Sequence, residues 1–223
     1  MANMHGPMLG EIPTMTEHYG PPHREFVRAL QLIIVSKDYD VALDRILKRL
    51  ESASSESEWI DLTIWLTRIH ELKADIASAY DAMADAMVSR QDNARMRIRM
   101  AELEWKRSRN RGLAENQIQA AIALLPSWDA DLFRARLLWA RIALEVGDVH
   151  SAAEHMLASL PPPSVSSVLL APLFTQEAVK LARSGEKVAS VEYLSRLKNL
   201  HLADTGSVVE IENALAQISH ISS

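Results

Sequence analysis

Apolar residues recur every three or four positions from about residue 23 to the end of the chain, which is the period of helices that bury one face. The first two apolar stripes flank a short polar turn at 36–40. They consist of Phe26, Ala29, Leu30, Ile33 and Ile34, and of Ala42, Leu43, Ile46, Leu47 and Leu50. So short a turn joins antiparallel helices, and its Ser and Asp side chains are suited to cap the second helix. The pattern predicts a helical hairpin.

The same two-stripe unit returns four times and is followed by a single stripe at 208–218. The four returns span residues 59–87, 96–122, 132–160 and 169–197. Pro126 and the prolines at 161–163 stand where a hairpin must end, and Gly147 and Gly185 stand at turns inside hairpins. Ser57 is the expected N-cap of the helix at Trp59. The last stripe predicts one closing helix.

Small residues that let helices approach closely recur at a nearly constant interval of 35 to 38 residues. They are Ala42, Ala79, Ala114, Ala152 and Ser190. A period of this size is typical of a helical solenoid, in which each hairpin buries its apolar face on its neighbours. We therefore predict an all-α fold, an α-solenoid of about five antiparallel helical hairpins plus a C-terminal capping helix. The alternative is an irregular helical bundle with coincidental spacing.

The first 22 residues differ from the rest, because they contain three Gly, four Pro and no apolar run. We predict a disordered N-terminal arm over 1–22, with a partner-binding tail as the alternative, and a helical-repeat domain over 23–223. No apolar stretch approaches the roughly 20 residues of a membrane helix. We expect a soluble, cytoplasmic protein.

Composition narrows the classes of function. The 223 residues include no cysteine, which excludes disulfides, thiolate metal sites and thiol catalysis. The 29 acidic side chains outnumber the 24 Lys and Arg, and a net charge of −5 argues against bulk nucleic-acid binding. The eight histidines lack the i, i+4 pair of a helical zinc site, since His150 and His155 are five apart. We expect no cofactor, no metal and no catalytic residues.

Several segments resemble the tetratricopeptide repeat family. The residues that carry the resemblance are Phe26 with the segment 37–43; Ala114, Ile118, Ala121 and Pro126; Gly147, Asp148, Ala152 and Met156; and Phe174, Ala178, Gly185 and Leu194. No unit has the full family signature, and steps of up to 38 residues exceed the family's 34, so a related repeat class and the superhelical twist stay open. The resemblance implies a noncatalytic protein whose first helices line a concave groove for a peptide or partner helix.

The clearest charged feature is the segment 95–111, which holds seven cations and two carboxylates. Its plainest interpretation is a solvated helix face. The register of the family resemblance instead places seven cations of the chain at groove positions: Arg68, Arg99, Lys106, Arg107, Arg134, Arg141 and Arg183. We hypothesise a positive groove, centred on Arg99, Lys106, Arg134 and Arg141, that attracts an acidic peptide or a chain-terminal carboxylate.

The function predicted on these grounds is a protein–protein interaction module, acting as an adaptor, chaperone or scaffold. A peptide-sensing regulatory repeat protein is the first alternative. An RNA-binding helical protein is the second, because arginines near Trp105 could grip phosphate. Self-association is left open. Trp128 follows Pro126 in a predicted connection, and we expect it to be partly exposed and available to a partner.

Overall fold

The computed structural model describes residues 21–160, 171–200 and 205–221, and within these ranges it contains eleven helices and no strand. In chain order they are α1 (Pro21–Val35), α2 (Tyr39–Glu51), α3 (Glu56–Leu72), α4 (Ile76–Val88), α5 (Ala94–Ser108), α6 (Arg111–Leu124), α7 (Ala130–Glu145), α8 (Val149–Ala158), α9 (Ala171–Arg183), α10 (Lys187–Leu200) and α11 (Thr205–Ser219). Residues 1–20 of the predicted arm lie outside the described residues. Helix α1 begins at Pro21, inside the last two residues assigned to that arm.

All five predicted hairpins and the closing helix are confirmed. The apolar stripes coincide with the pairs α1–α2, α3–α4, α5–α6, α7–α8 and α9–α10, followed by α11. The five small residues that set the repeat interval are each at most 1% exposed. They are buried because a larger side chain at these positions would push two packed helices apart.

Helix starts follow local capping chemistry, with two differences from the sequence expectation. The N-cap of α3 is Ser55, not Ser57, and its side chain accepts a hydrogen bond from the N–H of Glu58. Ser55 and Glu58 have the three-residue spacing of a capping box, which Ser57 lacks. Asp38 precedes α2 without a capping bond, and its carboxylate instead accepts from Ser36 Oγ at 3.1 Å.

The turns inside the fourth and fifth hairpins use glycine in the left-handed region, as predicted. Gly147 has φ of 83° and Gly185 has φ of 110°. The third hairpin places Arg109 at the same kind of position, with φ of 55°. The first and second hairpins also place a non-glycine residue there, Lys37 with φ of 63° and Ala74 with φ of 60°, at a modest conformational cost.

The first compact unit spans Met1–Ser89 and contains α1 to α4. Helix α3 packs against both α2 and α4 and supplies most of the buried side chains. The core of this unit includes Leu30, Ile46, Leu62, Trp65 and Ile69, all at most 2% exposed. Two successive hairpins therefore share one apolar core.

The second unit spans Arg90–Ser223 and contains α5 to α11. Helix α7 packs against α5, α6 and α8, and α9 packs against α7, α8, α10 and α11. Helix α11 buries Ile211, Ala214 and Ile218 against the last hairpin, which is the capping role predicted for it. The three hairpins of this unit thus stack in chain order, as expected of an all-α solenoid.

Candidate partner-binding surface

Six of the seven predicted groove cations lie on the first helices of successive hairpins in the second unit. Helix α5 carries Arg99, Lys106 and Arg107, helix α7 carries Arg134 and Arg141, and helix α9 carries Arg183. These helices pack in the order α5, α7, α9. The register therefore brings these six cations onto one row of adjacent helices. Arg68 lies on α3 of the first unit.

Arg99 is the most deeply placed of the predicted cations. It is 3% exposed, and its Nη1 donates to Glu102 Oε2 at 2.7 Å, one turn further along α5. A guanidinium in this setting is satisfied within the protein and has little surface to offer a ligand. Its charge adds to the local field, but Arg99 does not present the fork that a carboxylate would grip.

Arg107 and Arg134 combine an internal partner with an accessible side chain. Arg134 Nη1 donates to Asp131 Oδ1 at 3.0 Å, and Arg107 Nη2 lies 3.8 Å from Glu104 Oε2. Their side chains are 39% and 44% exposed, so both remain reachable from solvent. Exposed pairs within one helix are weak and exchange partners readily.

The remaining three predicted cations differ in exposure. Lys106 and Arg141 are half-buried, and Arg183 is exposed at the end of α9. Lysine and arginine bury their aliphatic stems while their charged ends reach solvent. This row therefore combines partly sheltered cations near its centre with an open one on its third helix.

The sequence did not predict that the end of the 95–111 segment bonds to the next hairpin. Arg109 Nη1 donates to Glu145 Oε2 at 2.5 Å, and Trp105 Nε1 donates to the same oxygen at 2.8 Å. The guanidinium of Arg109 also lies over the Trp105 ring, 5.0 Å from its centroid. These contacts connect the end of α5 to the end of α7.

Arg111, at the start of α6, makes a second ionic link between the third and fourth hairpins. Its Nε donates to Glu115 at 2.7 Å and its Nη2 donates to Asp148 at 2.8 Å. Glu115 in turn accepts from Trp139 Nε1 at 2.7 Å. Hydrogen bonds from Arg111 and from the N–H of Ser151 lower the pKa of Asp148. We name these side chains the repeat-coupling network: Trp105, Arg109, Arg111, Glu115, Trp139, Glu145 and Asp148.

The repeat-coupling network could have been found from the sequence by the spacing of its opposite charges. Arg109 and Glu145 are 36 residues apart, and Arg111 and Asp148 are 37 apart. Both separations equal one repeat length. Opposite charges at that spacing occupy nearly equivalent positions in successive hairpins, where they can pair across the junction. Much of the cation-rich segment thus binds the third hairpin to the fourth.

The first unit has an ionic link of a different kind. Glu58 is 2% exposed and accepts hydrogen bonds from Arg49 Nε at 2.7 Å, Ser54 Oγ at 2.6 Å and Ser54 N–H at 2.8 Å. Burial alone would raise the pKa of Glu58, but the bonds from Ser54 and Arg49 outweigh it and hold the pKa at about 2. This carboxylate joins α2 to α3.

The aromatic side chains divide as the sequence suggested. Trp65 is buried in the core of the first unit, and Trp128 is 66% exposed in the connection between α6 and α7. Trp139 is half-buried and stacks on His155, with ring centroids 4.0 Å apart and an interplanar angle of 17°.

Within the described ranges, no three His, Asp or Glu side chains are grouped as metal ligands. The helices described for this chain also include none with both the length and the apolar character needed to cross a membrane.

The fold and the stacked first helices define the class of this protein as a TPR-like helical repeat. No family model matches the sequence, and neither does any curated protein. Among solved structures, a crystal structure of MamA matches with a TM-score of 0.51 and 14% identity, over 82% of this chain and 93% of that one.

Two further structures are similar. A double mutant of MamA from RS-1 matches with a TM-score of 0.51 and 16% identity, over 84% of this chain and 98% of that chain. YrrB, described as a TPR protein with an unusual peptide-binding site, has a TM-score of 0.45 and 17% identity, over 84% and 90% of the two chains. At these identities the MamA likeness shows the fold alone.

Proposed function

We propose that this chain is a noncatalytic interaction module of the cytoplasm, an adaptor, chaperone or scaffold that holds a partner segment in a concave, partly basic groove. The observation that supports the proposal is the row of cations on α5, α7 and α9, three first helices that pack in sequence. A segment lying across these helices would meet a cation from each hairpin in turn.

The cations contribute to this surface in different ways. Arg107, Arg134 and Arg183 are accessible and offer guanidinium groups directly, and Lys106 and Arg141 supply charge from half-buried positions. Arg99 acts through the field of its buried charge and by orienting Glu102. Arg68, on α3 of the first unit, is proposed as a partner-binding residue of that unit alone.

The partner that this surface fits best is a peptide with an acidic segment or a terminal carboxylate. Guanidinium forks bind carboxylates with two parallel hydrogen bonds, which adds direction to simple charge attraction. The net charge of −5 makes the rest of the protein repel such a peptide, so attraction would be confined to the cationic row.

The direct test uses a fluorescent oligo-glutamate peptide as the probe and fluorescence anisotropy as the readout. The double variant R134Q/R141Q should bind it at least about fivefold more weakly and with a shallower salt dependence. The control R45Q/R196Q removes the same charge from two exposed arginines elsewhere. Equal affinity for the two double variants would overturn the proposal, as would tighter binding of oligo-lysine or of single-stranded RNA than of oligo-glutamate.

The peptide-sensing alternative is supported by one contact. Glu145, at the end of α7, accepts from Trp105 and Arg109 of the preceding hairpin. A ligand that competes for Glu145 or Arg109 would loosen the junction between two hairpins and change the curvature of the solenoid. Small-angle scattering with and without the oligo-glutamate peptide tests this, because a static holder keeps its radius of gyration and a sensor changes it.

A further inference from the structure

Arg136 on α7 differs from every other half-buried arginine in the described ranges. Among the described residues it has no ion pair and no hydrogen bond, and its Nε is buried without an acceptor there. The other half-buried arginines with described surroundings have a partner, as Arg49 has Glu58 and Arg134 has Asp131. A partly buried cation without a counter-charge lowers the stability of the fold unless an external anion pairs with it.

The surroundings of Arg136 are rigid and partly aromatic. Trp139 lies one turn further along α7, which places its side chain beside that of Arg136. Its indole stacks on His155 at 4.0 Å and its Nε1 donates to Glu115 at 2.7 Å. The stack is half-exposed, so it forms an apolar wall that a ligand can contact.

The charged groups around His155 act on its pKa in opposite directions. Burial lowers the pKa of His155, and the positive charge of Arg136 lowers it further. Glu115 and Glu154 oppose that effect, and Arg111 adds to it. Arg111 is neutralised by Glu115 and Asp148, whereas Arg136 has no such partner.

Arg136 and Trp139 lie on the side of α7 opposite to the proposed groove. At 100° per residue, they are rotated by about 200° and about 140° from Arg134. Arg141 lies within about 20° of Arg134 on the same scale. A ligand on Arg136 would therefore occupy a different surface from a segment held by Arg134 and Arg141.

We propose that Arg136 and the Trp139–His155 stack form a second binding site, which takes one carboxylate from an acidic side chain or chain end of a partner peptide. The guanidinium fork would bind the carboxylate, and the aliphatic stem behind it would rest on the aromatic stack. A singly charged carboxylate fits better than a phosphate dianion, because Glu115 and Glu154 repel the extra negative charge.

His155 reports occupancy of this site. A bound carboxylate cancels the field of Arg136, so the pKa of His155 should rise when sodium acetate replaces sodium chloride at matched ionic strength. The measurement is a pH titration of the assigned imidazole resonances by NMR. In R136Q the pKa of His155 should already be higher in chloride, and acetate should cause no further rise. R183Q, which removes an exposed arginine of α9, should respond as wild type does.

Other outcomes would overturn the site. They are an acetate effect that is absent, one that persists in R136Q, or a larger effect of inorganic phosphate at lower concentration. If R136Q does not fold, R136K keeps the charge but lacks the fork, and its acetate response should fall to less than half. The groove variant R134Q/R141Q should keep the full response, so failure of this site and failure of the groove are distinguishable.

Discussion

The first and second units both use ionic links between hairpin elements, but they place them in opposite environments. In the first unit, Glu58 is buried and held by Arg49 and by both donors of Ser54. In the second unit, Glu145 and its partner Arg109 have side chains that are 43% and 62% exposed. One link is a single buried carboxylate whose hydrogen bonds outweigh its burial, and the other consists of several pairs that solvent can reach.

This difference determines which conditions each link resists. Salt weakens the interaction of exposed charges, whose field decays over about 10 Å at 0.1 M and about 3 Å at 1 M ionic strength, but it has little effect on a buried, hydrogen-bonded pair. Protonation acts on both links, since hydrogen bonds lower the pKa of Glu58 in the first unit and of Asp148 in the second. Salt therefore separates the two links, because it weakens the exposed pairs and leaves the buried one nearly unchanged.

The largest effect is expected for E58Q. The change leaves the guanidinium of Arg49 without its anion and leaves one acceptor oxygen where Glu58 uses two, so Arg49 and the two donors of Ser54 cannot all be satisfied. We expect the free energy of unfolding to fall by about 2 kcal/mol in a urea titration followed by circular dichroism. The control E51Q alters an exposed glutamate at the end of α2 and should fall within about 0.5 kcal/mol of wild type. Equal stability of the two variants would contradict the role given to Glu58.

Acid should remove much of the same stabilisation. The pKa of Glu58 is depressed from its ordinary 4.5 to about 2 in the folded chain. A depressed folded pKa contributes stability above the unfolded pKa, and that stability is lost as pH falls through the window between the two values. Urea titrations between pH 5 and pH 2 should show wild type losing about 2 kcal/mol more than E58Q. Parallel stability curves for the two proteins would show that Glu58 does not titrate in this way.

A smaller effect, about 1 kcal/mol, is expected for E145A, because Trp105 Nε1 and Arg109 both lose their acceptor. The control E154A removes an exposed glutamate of α8. In 1 M NaCl the deficit of E145A should shrink by about half, while the deficit of E58Q should persist. A salt dependence that is the same for both variants would remove the distinction between the two links.

Much of the fold followed from apolar periodicity. The five hairpins and the closing helix lie where the stripes predicted them, and the small residues at the repeat interval are buried. The prediction moved by two residues at the start of α3, since Ser55 and Ser57 are both acceptable caps and only the position of Glu58 selects between them. Apolar periodicity predicts the position of a helix along the chain, but it predicts the first residue of that helix only to within one or two residues.

The candidate surface was less predictable. Register placed six cations on adjacent first helices, but it could not distinguish the buried Arg99 from the exposed Arg183. Nor did it separate Arg109 and Arg111, which join hairpins, from Lys106 and Arg107, which precede them by a few residues. Burial and partner choice depend on side chains about one repeat away, and a local pattern does not contain them.

By itself, the sequence determined an all-α repeat, because helical periodicity and repeated small residues are local properties that recur along the chain. The tertiary structure decided which charges are internal links and which are left for a ligand. That decision depends on distance in space: Glu145 accepts a hydrogen bond from Trp105, 40 residues earlier in the chain, whereas the buried Nε of Arg136 has no acceptor among the described residues. Electrostatic energy follows those distances and the local burial, and neither is set by the order of residues in one helix.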